Sequence, residues 1–224
     1  MDAHLENTAM VLGQIKPLSN ISQNILEALY GIDRKDYTPI ELRDFSYIEK
    51  NIHIGKNRYL LKPAITAKLL SALEVEGTET ILIISSTTGY SAALASKIAE
   101  TVICIEEDSD LLDFSEKIAI ANSMNNIVFI KNELNKGYPD QGPYTCILIE
   151  GAIEEEPKLI IDQLADGGRL VTILNDNENG SAIKYSKING QITSQFLFSM
   201  DAPVLESFKT VSYTHLTLPT IYSV

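Results

Sequence analysis

Glu106 stands about 20 residues beyond a turn of small residues, Ser85-Ser86-Thr87-Thr88-Gly89. An apolar run, Ile81 to Ile84, leads into that turn, and a second, Val102 to Ile105, leads into Glu106 and Glu107. Strand, tight turn, helix, strand and acid, in that order, is how βα units hold a nucleotide. Backbone amides of the turn approach the ligand, and the acid accepts from a ribose hydroxyl. The chemistry expected of Ser85, Ser86, Thr87, Gly89, Tyr90, Glu106 and Glu107 is therefore binding. The turn is unusual in keeping Gly89 but carrying Cβ atoms at Ser85 and Thr87, which restrict φ and the approach of a ligand.

Other chemistry-bearing residues are scattered. Arg58 beside Tyr59 could grip a substrate carboxylate, Arg58 with two parallel bonds. Glu154-Glu155-Glu156 precede Pro157, where acids offset a helix macrodipole and need no catalytic role. Cys104 and Cys146 each sit in an apolar run and read as buried, reduced thiols. With His4, His53 and His215 dispersed, no metal-ligand spacing arises, and no metal is expected. A serine hydrolase is excluded by the lack of a G-x-S-x-G elbow.

The elements that must position these residues alternate. Strands are expected at Ile81–Ile84, Val102–Ile105, Ile127–Ile130, Cys146–Ile149 and Leu170–Leu174. Helices are expected at Tyr90–Ala99, at Ser109–Ala121 with Ser109 as cap, and at Pro157–Leu164. Continuous apolar strands separated by helices indicate an α/β fold with a mostly parallel sheet covered on both faces. The ending differs: Ser181–Ile188, Asn189-Gly190 and Gln191–Met200 spell an antiparallel hairpin. That order is the one found in Rossmann-like methyltransferase folds, and it disfavours a nicotinamide oxidoreductase.

Ahead of this unit, Ile21–Tyr30 and a short helix capped by Thr38 with Pro39 at its first position suggest a helical extension. Ile52–Lys62 reads as irregular, and Pro63 opens a helix running to Leu73. The expected organisation is 1–75 helical extension and substrate-side loop, 76–210 cofactor-binding domain and 211–224 a separate tail. That tail, VSYTHLTLPTIYSV, carries no acid or base. It resembles a translated sequencing adaptor and is expected to be foreign to the fold, with the natural C-terminus missing.

The formal net charge is −12, which repels phosphate backbones, so no nucleic-acid partner is expected. Neither a basic-then-apolar leader nor a run long enough to span a bilayer is visible, so a cytoplasmic protein with no membrane partner is expected.

Several ordered segments together resemble the protein-L-isoaspartate O-methyltransferase family, in a divergent bacterial branch. They are Asp36-Tyr37-Thr38-Pro39, Arg58 to Pro63, Thr88 to Ala93, Glu106-Glu107-Asp108, Gly137-Tyr138-Pro139, Gly142-Pro143-Tyr144 and Leu164 to Val171. The resemblance runs from about Met10 to Phe208. It implies S-adenosyl-L-methionine as cofactor and a damaged protein or peptide as substrate, methylated on an isoaspartyl carboxylate. It also implies cofactor roles for Glu106 at the ribose, Glu133 near the adenine and Glu150 at the lip of the site. Arg58, Tyr59, Leu60 and Leu61 fall on the substrate side.

The chain departs from the family pattern at Ile83, where an acid is usual, at Ser85 and Thr87, where glycines are usual, and at Leu61, where a serine is usual. No catalytic residue is therefore assigned. Two alternatives stay open: a non-catalytic relative acting as a binding or interaction module, and a methyltransferase with another acceptor.

Overall fold

A computed structural model of the chain describes residues 3–176 and 179–210; the 211–224 tail lies outside the described residues. The N-terminal part holds α1 (Ala3–Met10), continued by a wider π turn, α2 (Gln23–Gly31) and two 3-10 turns. A small antiparallel hairpin follows, β1 (Ile52–Gly55) and β2 (Arg58–Leu60), then α3 (Pro63–Ala72). The main sheet is built from β3 (Thr80–Ile84), β4 (Thr101–Glu106), β5 (Ile127–Lys131), β6 (Tyr144–Ile153), β7 (Leu164–Asp176), β8 (Asn179–Ile188) and β9 (Gln191–Ser199). Between them lie α4 (Tyr90–Ala95), α5 (Ser109–Ala121) and α6 (Lys158–Ile161).

The sheet order is β5-β4-β3-β6-β7-β8-β9, with the first five strands parallel and β8 antiparallel to both neighbours. This is the Rossmann-like methyltransferase fold, and the Asn189-Gly190 turn, both residues at positive φ, closes its terminal hairpin. Alternate residues of the central strands feed two cores. Ile81, Ile83, Val102, Cys104, Cys146 and Leu148 face one that also contains Met10, Ile15, Leu29, Leu60 and Leu70 from the N-terminal part. Leu82, Ile84, Ile103, Ile105, Ile147 and Ile149 face the other. Both cysteines are free and buried.

Several local expectations are corrected. Ile52–Lys62 is not irregular: Gly55, Lys56 and Asn57 take positive φ and turn two short strands back on each other. Thr38 does not cap the following 3-10 turn; its hydroxyl donates to the Arg34 carbonyl at 3.1 Å, and Pro39 is the cap. Asp108 rather than Ser109 caps α5, accepting from the Asp110 amide at 2.9 Å. The expected helix at Pro157–Leu164 shrinks to Lys158–Ile161 because Leu164 already pairs with Tyr144 in the sheet.

Candidate active site

The sheet reverses its winding at β3, which has β4 on one side and β6 on the other. Ligands of open α/β sheets bind at the carboxyl ends of strands beside such a switch point. Ile84 is in register with both Ile105 and Ile149. The next residues, Ser85, Glu106 and Glu150, therefore stand level on three adjacent strands. Two residues further along than Ile83, Cys104 and Leu148, they continue the face packed by the N-terminal part.

Glu106 is fully buried and heavily bonded. One oxygen, Oε1, accepts from Arg58 Nε at 2.9 Å, the Glu107 amide at 2.9 Å and the Asp108 amide at 3.2 Å. Oε2 accepts from the Thr87 amide at 3.3 Å. Three of these four N–H donors share Oε1 and one is on Oε2, so Oε1 is fully engaged. Arg58 also donates through Nη2 to Glu107 Oε2 at 2.9 Å, and its side chain is only 6% exposed. Burial works against the guanidinium's charge, but Glu106 and Glu107 outweigh it and raise the Arg58 pKa. Glu107 further accepts from the Leu134 amide at 2.9 Å and the Ser207 hydroxyl at 2.7 Å.

The turn keeps a glycine-type backbone without the glycines. Ser85 has φ 65° and Thr87 φ 51°, a left-handed conformation unfavourable for a β-branched residue. Gly89 is left-handed as well, at φ 82°, and a Cβ there would lie 3.1 Å from Ser115 Cβ. Ser115 supports the turn from behind, donating to the Thr87 carbonyl at 3.0 Å. The buried hydroxyls of Ser85 and Thr88 have no hydrogen-bond partner. Tyr90 is fully buried, its ring 5.6 Å from that of Tyr37 and 4.8 Å below the Arg34 guanidinium.

Glu150 is buried rather than at a lip. It is pulled in by the Ser91 hydroxyl, which donates to Oε2, and by Thr66 Oγ1 at 3.5 Å. Burial dominates and pushes its pKa up to about 7, against the pull of Ser91, Arg34 and Thr66. A cavity of about 10 Å³ lies where Tyr59 and Leu61 meet Ser85, Glu150 and Gly151, closed by Pro203, Val204 and Leu205. That is room for at most one water.

The structure thus gathers Arg58, Tyr59, Leu61, Ser85, Ser86, Thr87, Glu106 and Glu150. Leu60 is a fully buried member of the core and does not line the cavity. Glu133 is not brought to this group: it follows the edge strand β5, is 61% exposed and pairs with Lys136 at 2.6 Å. Arg58 faces two carboxylates of its own chain, Glu106 and Glu107. Sequence reasoning missed Arg34, Thr66, Ser91 and Ser115. Arg34 is wholly buried, with Nε donating to the Ser46 carbonyl at 2.8 Å and Nη2 to the Leu61 carbonyl at 2.6 Å. Its nearness to the Asp36-Tyr37-Thr38-Pro39 segment was the available signal. Among the described residues no cluster of metal-ligating side chains occurs, and no helix is long and apolar enough to cross a membrane.

The topology and the acid-bearing strand ends define a Rossmann-like methyltransferase. Its relatives narrow that class. Residues 6–200 match the family of protein-L-isoaspartate(D-aspartate) O-methyltransferases, and the chain belongs to that family. A protein-L-isoaspartate O-methyltransferase of Methanoculleus marisnigri is 29% identical over 187 residues, covering 84% of this chain and 85% of that one. A Syntrophobacter fumaroxidans protein-L-isoaspartate O-methyltransferase 1 is 30% identical over 154 residues, with 69% and 72% covered. Among solved structures, a Plasmodium falciparum protein described as a protein-L-isoaspartate O-methyltransferase in complex with S-adenosyl-L-homocysteine superposes with a TM-score of 0.75. It is 20% identical, and 92% of this chain and 98% of that one are covered. At that identity the likeness concerns the fold.

Proposed function

We propose that this chain transfers a methyl group from S-adenosylmethionine to the free α-carboxylate of an isoaspartyl residue in a damaged protein or peptide. The observation that carries this reading is the level alignment of Ser85, Glu106 and Glu150 at the switch point of a chain in this family. The residues fit the cofactor's polar groups. Two buried turn hydroxyls, of Ser85 and Thr88, lack partners, and the acid at the end of β4 is of the type that accepts from ribose. Ligand pockets hold about 300–1,000 Å³, so binding requires the cavity of about 10 Å³ closed by Pro203, Val204 and Leu205 to open.

When bound, the cofactor supplies an activated sulfonium methyl. The acceptor carboxylate is already a nucleophile at neutral pH, so the protein's task is alignment and exclusion of water. Tyr59 and Leu61 cover the approach beside Glu150 and keep it dry. Burial favours the neutral form of Glu150, which spares an anionic acceptor a second negative charge. The closed cradle favours one other reading, a relative that keeps the fold as a binding module.

The test is thermal unfolding of the full chain with S-adenosylmethionine or its demethylated product up to millimolar concentration. The melting temperature is expected to rise with either ligand, and Glu106→Gln is expected to remove the rise. No rise with the wild-type chain would overturn the methyltransferase reading in favour of the module.

A further inference from the structure

The β1–β2 hairpin makes no pairing with the main sheet, and a two-stranded hairpin alone is marginal in water. Ile52 and Leu60 anchor its base in the core, and its tip is fastened by three consecutive residues. Lys56 Nζ contacts Asp108 Oδ2 at 2.9 Å and Asp110 Oδ2 at 3.1 Å. Asn57 Nδ2 donates to Glu206 Oε1 at 3.2 Å. Arg58 grips Glu106 and Glu107. The acids that follow β4 are thus engaged by one strap, and its deepest contact is the carboxylate that a cofactor ribose would need.

We propose that the hairpin is an autoinhibitory strap in which Arg58 takes the place of the cofactor's ribose on Glu106. This rests on the reading that the cofactor binds at Ser85–Gly89 and Glu106. Because Arg58 occupies Oε1 and the Glu106 side chain is wholly buried beneath it, no ribose hydroxyl can reach that carboxylate while the strap is closed. The protein then exists as closed and open forms, and the cofactor binds only the open one. Its apparent affinity is lowered by the fraction of molecules that are open. Arg58 already borders an open surface depression with Lys56, Glu107, Asp110, Lys131 and Glu206, into which the guanidinium can swing.

Calorimetric titration of the full-length wild type and Arg58→Gln with S-adenosylhomocysteine tests this. The variant is expected to bind about tenfold or more tightly than the wild type. Binding by the wild type with no gain, or a loss, in Arg58→Gln would overturn the strap and leave the cofactor reading standing. Binding by neither protein, with Arg58→Gln folded, would remove the cofactor reading and the strap with it. Should Arg58→Gln fail to fold, amide hydrogen exchange of the wild type decides. Added S-adenosylhomocysteine is expected to speed exchange across 52–60 and slow it at 85–89. Unchanged or slower exchange across 52–60 would overturn the strap.

Discussion

Arg58 Nε lies 2.9 Å from Glu106 Oε1, joining a hairpin of the N-terminal part to the acid at the end of β4 with both side chains out of water. Removing either partner strands a buried charge, which costs about 3–5 kcal/mol, whereas removing both does not. In a double-mutant cycle of Arg58→Met and Glu106→Gln, the double variant is expected to be destabilised less than the sum of the two single changes, with a coupling of about 2 kcal/mol or more. Denaturant unfolding measures it, and additive effects would contradict the pairing.

Ser85 and Thr87 pay for a left-handed backbone that glycine adopts freely. Thr87→Gly and Ser85→Gly are expected to stabilise the chain by about 0.5–1.5 kcal/mol each. Gly89→Ala is expected to destabilise it, because φ is 82° and Ser115 stands 3.1 Å from the new methyl. Unfolding midpoints of the three variants check the signs.

Glu150 has a pKa raised to about 7 by burial. The unfolded chain releases this proton more readily, near pH 4.3. The stabilising contribution is therefore complete below that pH and is lost as pH rises through 7. Glu150→Gln is expected to flatten this part of the stability profile and to gain roughly 2–4 kcal/mol relative to wild type at pH 8. Urea unfolding between pH 4 and 8 would show it; parallel profiles would contradict it.

Arg169 and Glu79 form a two-bonded pair, Nη1–Oε1 and Nη2–Oε2 both at 2.7 Å, and Arg169 also donates to the Leu73 and Glu74 carbonyls. The Arg169 hydrogen bonds hold Glu79 well below the usual carboxylate range, at about 2. Its contribution is present above the normal range and lost as pH falls toward 2. Arg169→Ala is expected to cost about 2–3 kcal/mol at pH 7, and less at pH 3, in equilibrium unfolding.

The parts of the fold written in local periodicity were legible. The apolar runs gave the five parallel strands, and the spacing of Leu111, Leu112, Ile118 and Ile120 gave α5 at its observed bounds, Ser109–Ala121. The Asn189-Gly190 pair gave the hairpin. The candidate site was legible where strand ends are, at Ser85 and Glu106. What stayed hidden are contacts between distant positions: Arg58 meets Glu106 across 48 residues, Ser91 meets Glu150 across 59 and Thr66 meets Glu150 across 84. The β1–β2 hairpin escaped because strands of four and three residues show no period, and its turn depends on Lys56 and Asn57 at positive φ. Arg34 was signalled only by its place beside Asp36-Tyr37-Thr38-Pro39, because the carbonyls that bury it belong to Ser46 and Leu61, 12 and 27 residues away.

The most direct test of the central claim is methyl transfer itself. Full-length protein is incubated with methyl-labelled S-adenosylmethionine and a pair of peptides differing only in an isoaspartyl or aspartyl residue, and base-labile methyl ester is counted. Label on the isoaspartyl peptide alone, abolished by Glu106→Gln, is the predicted result. No label above the no-enzyme background on either peptide, with the chain folded, would contradict it.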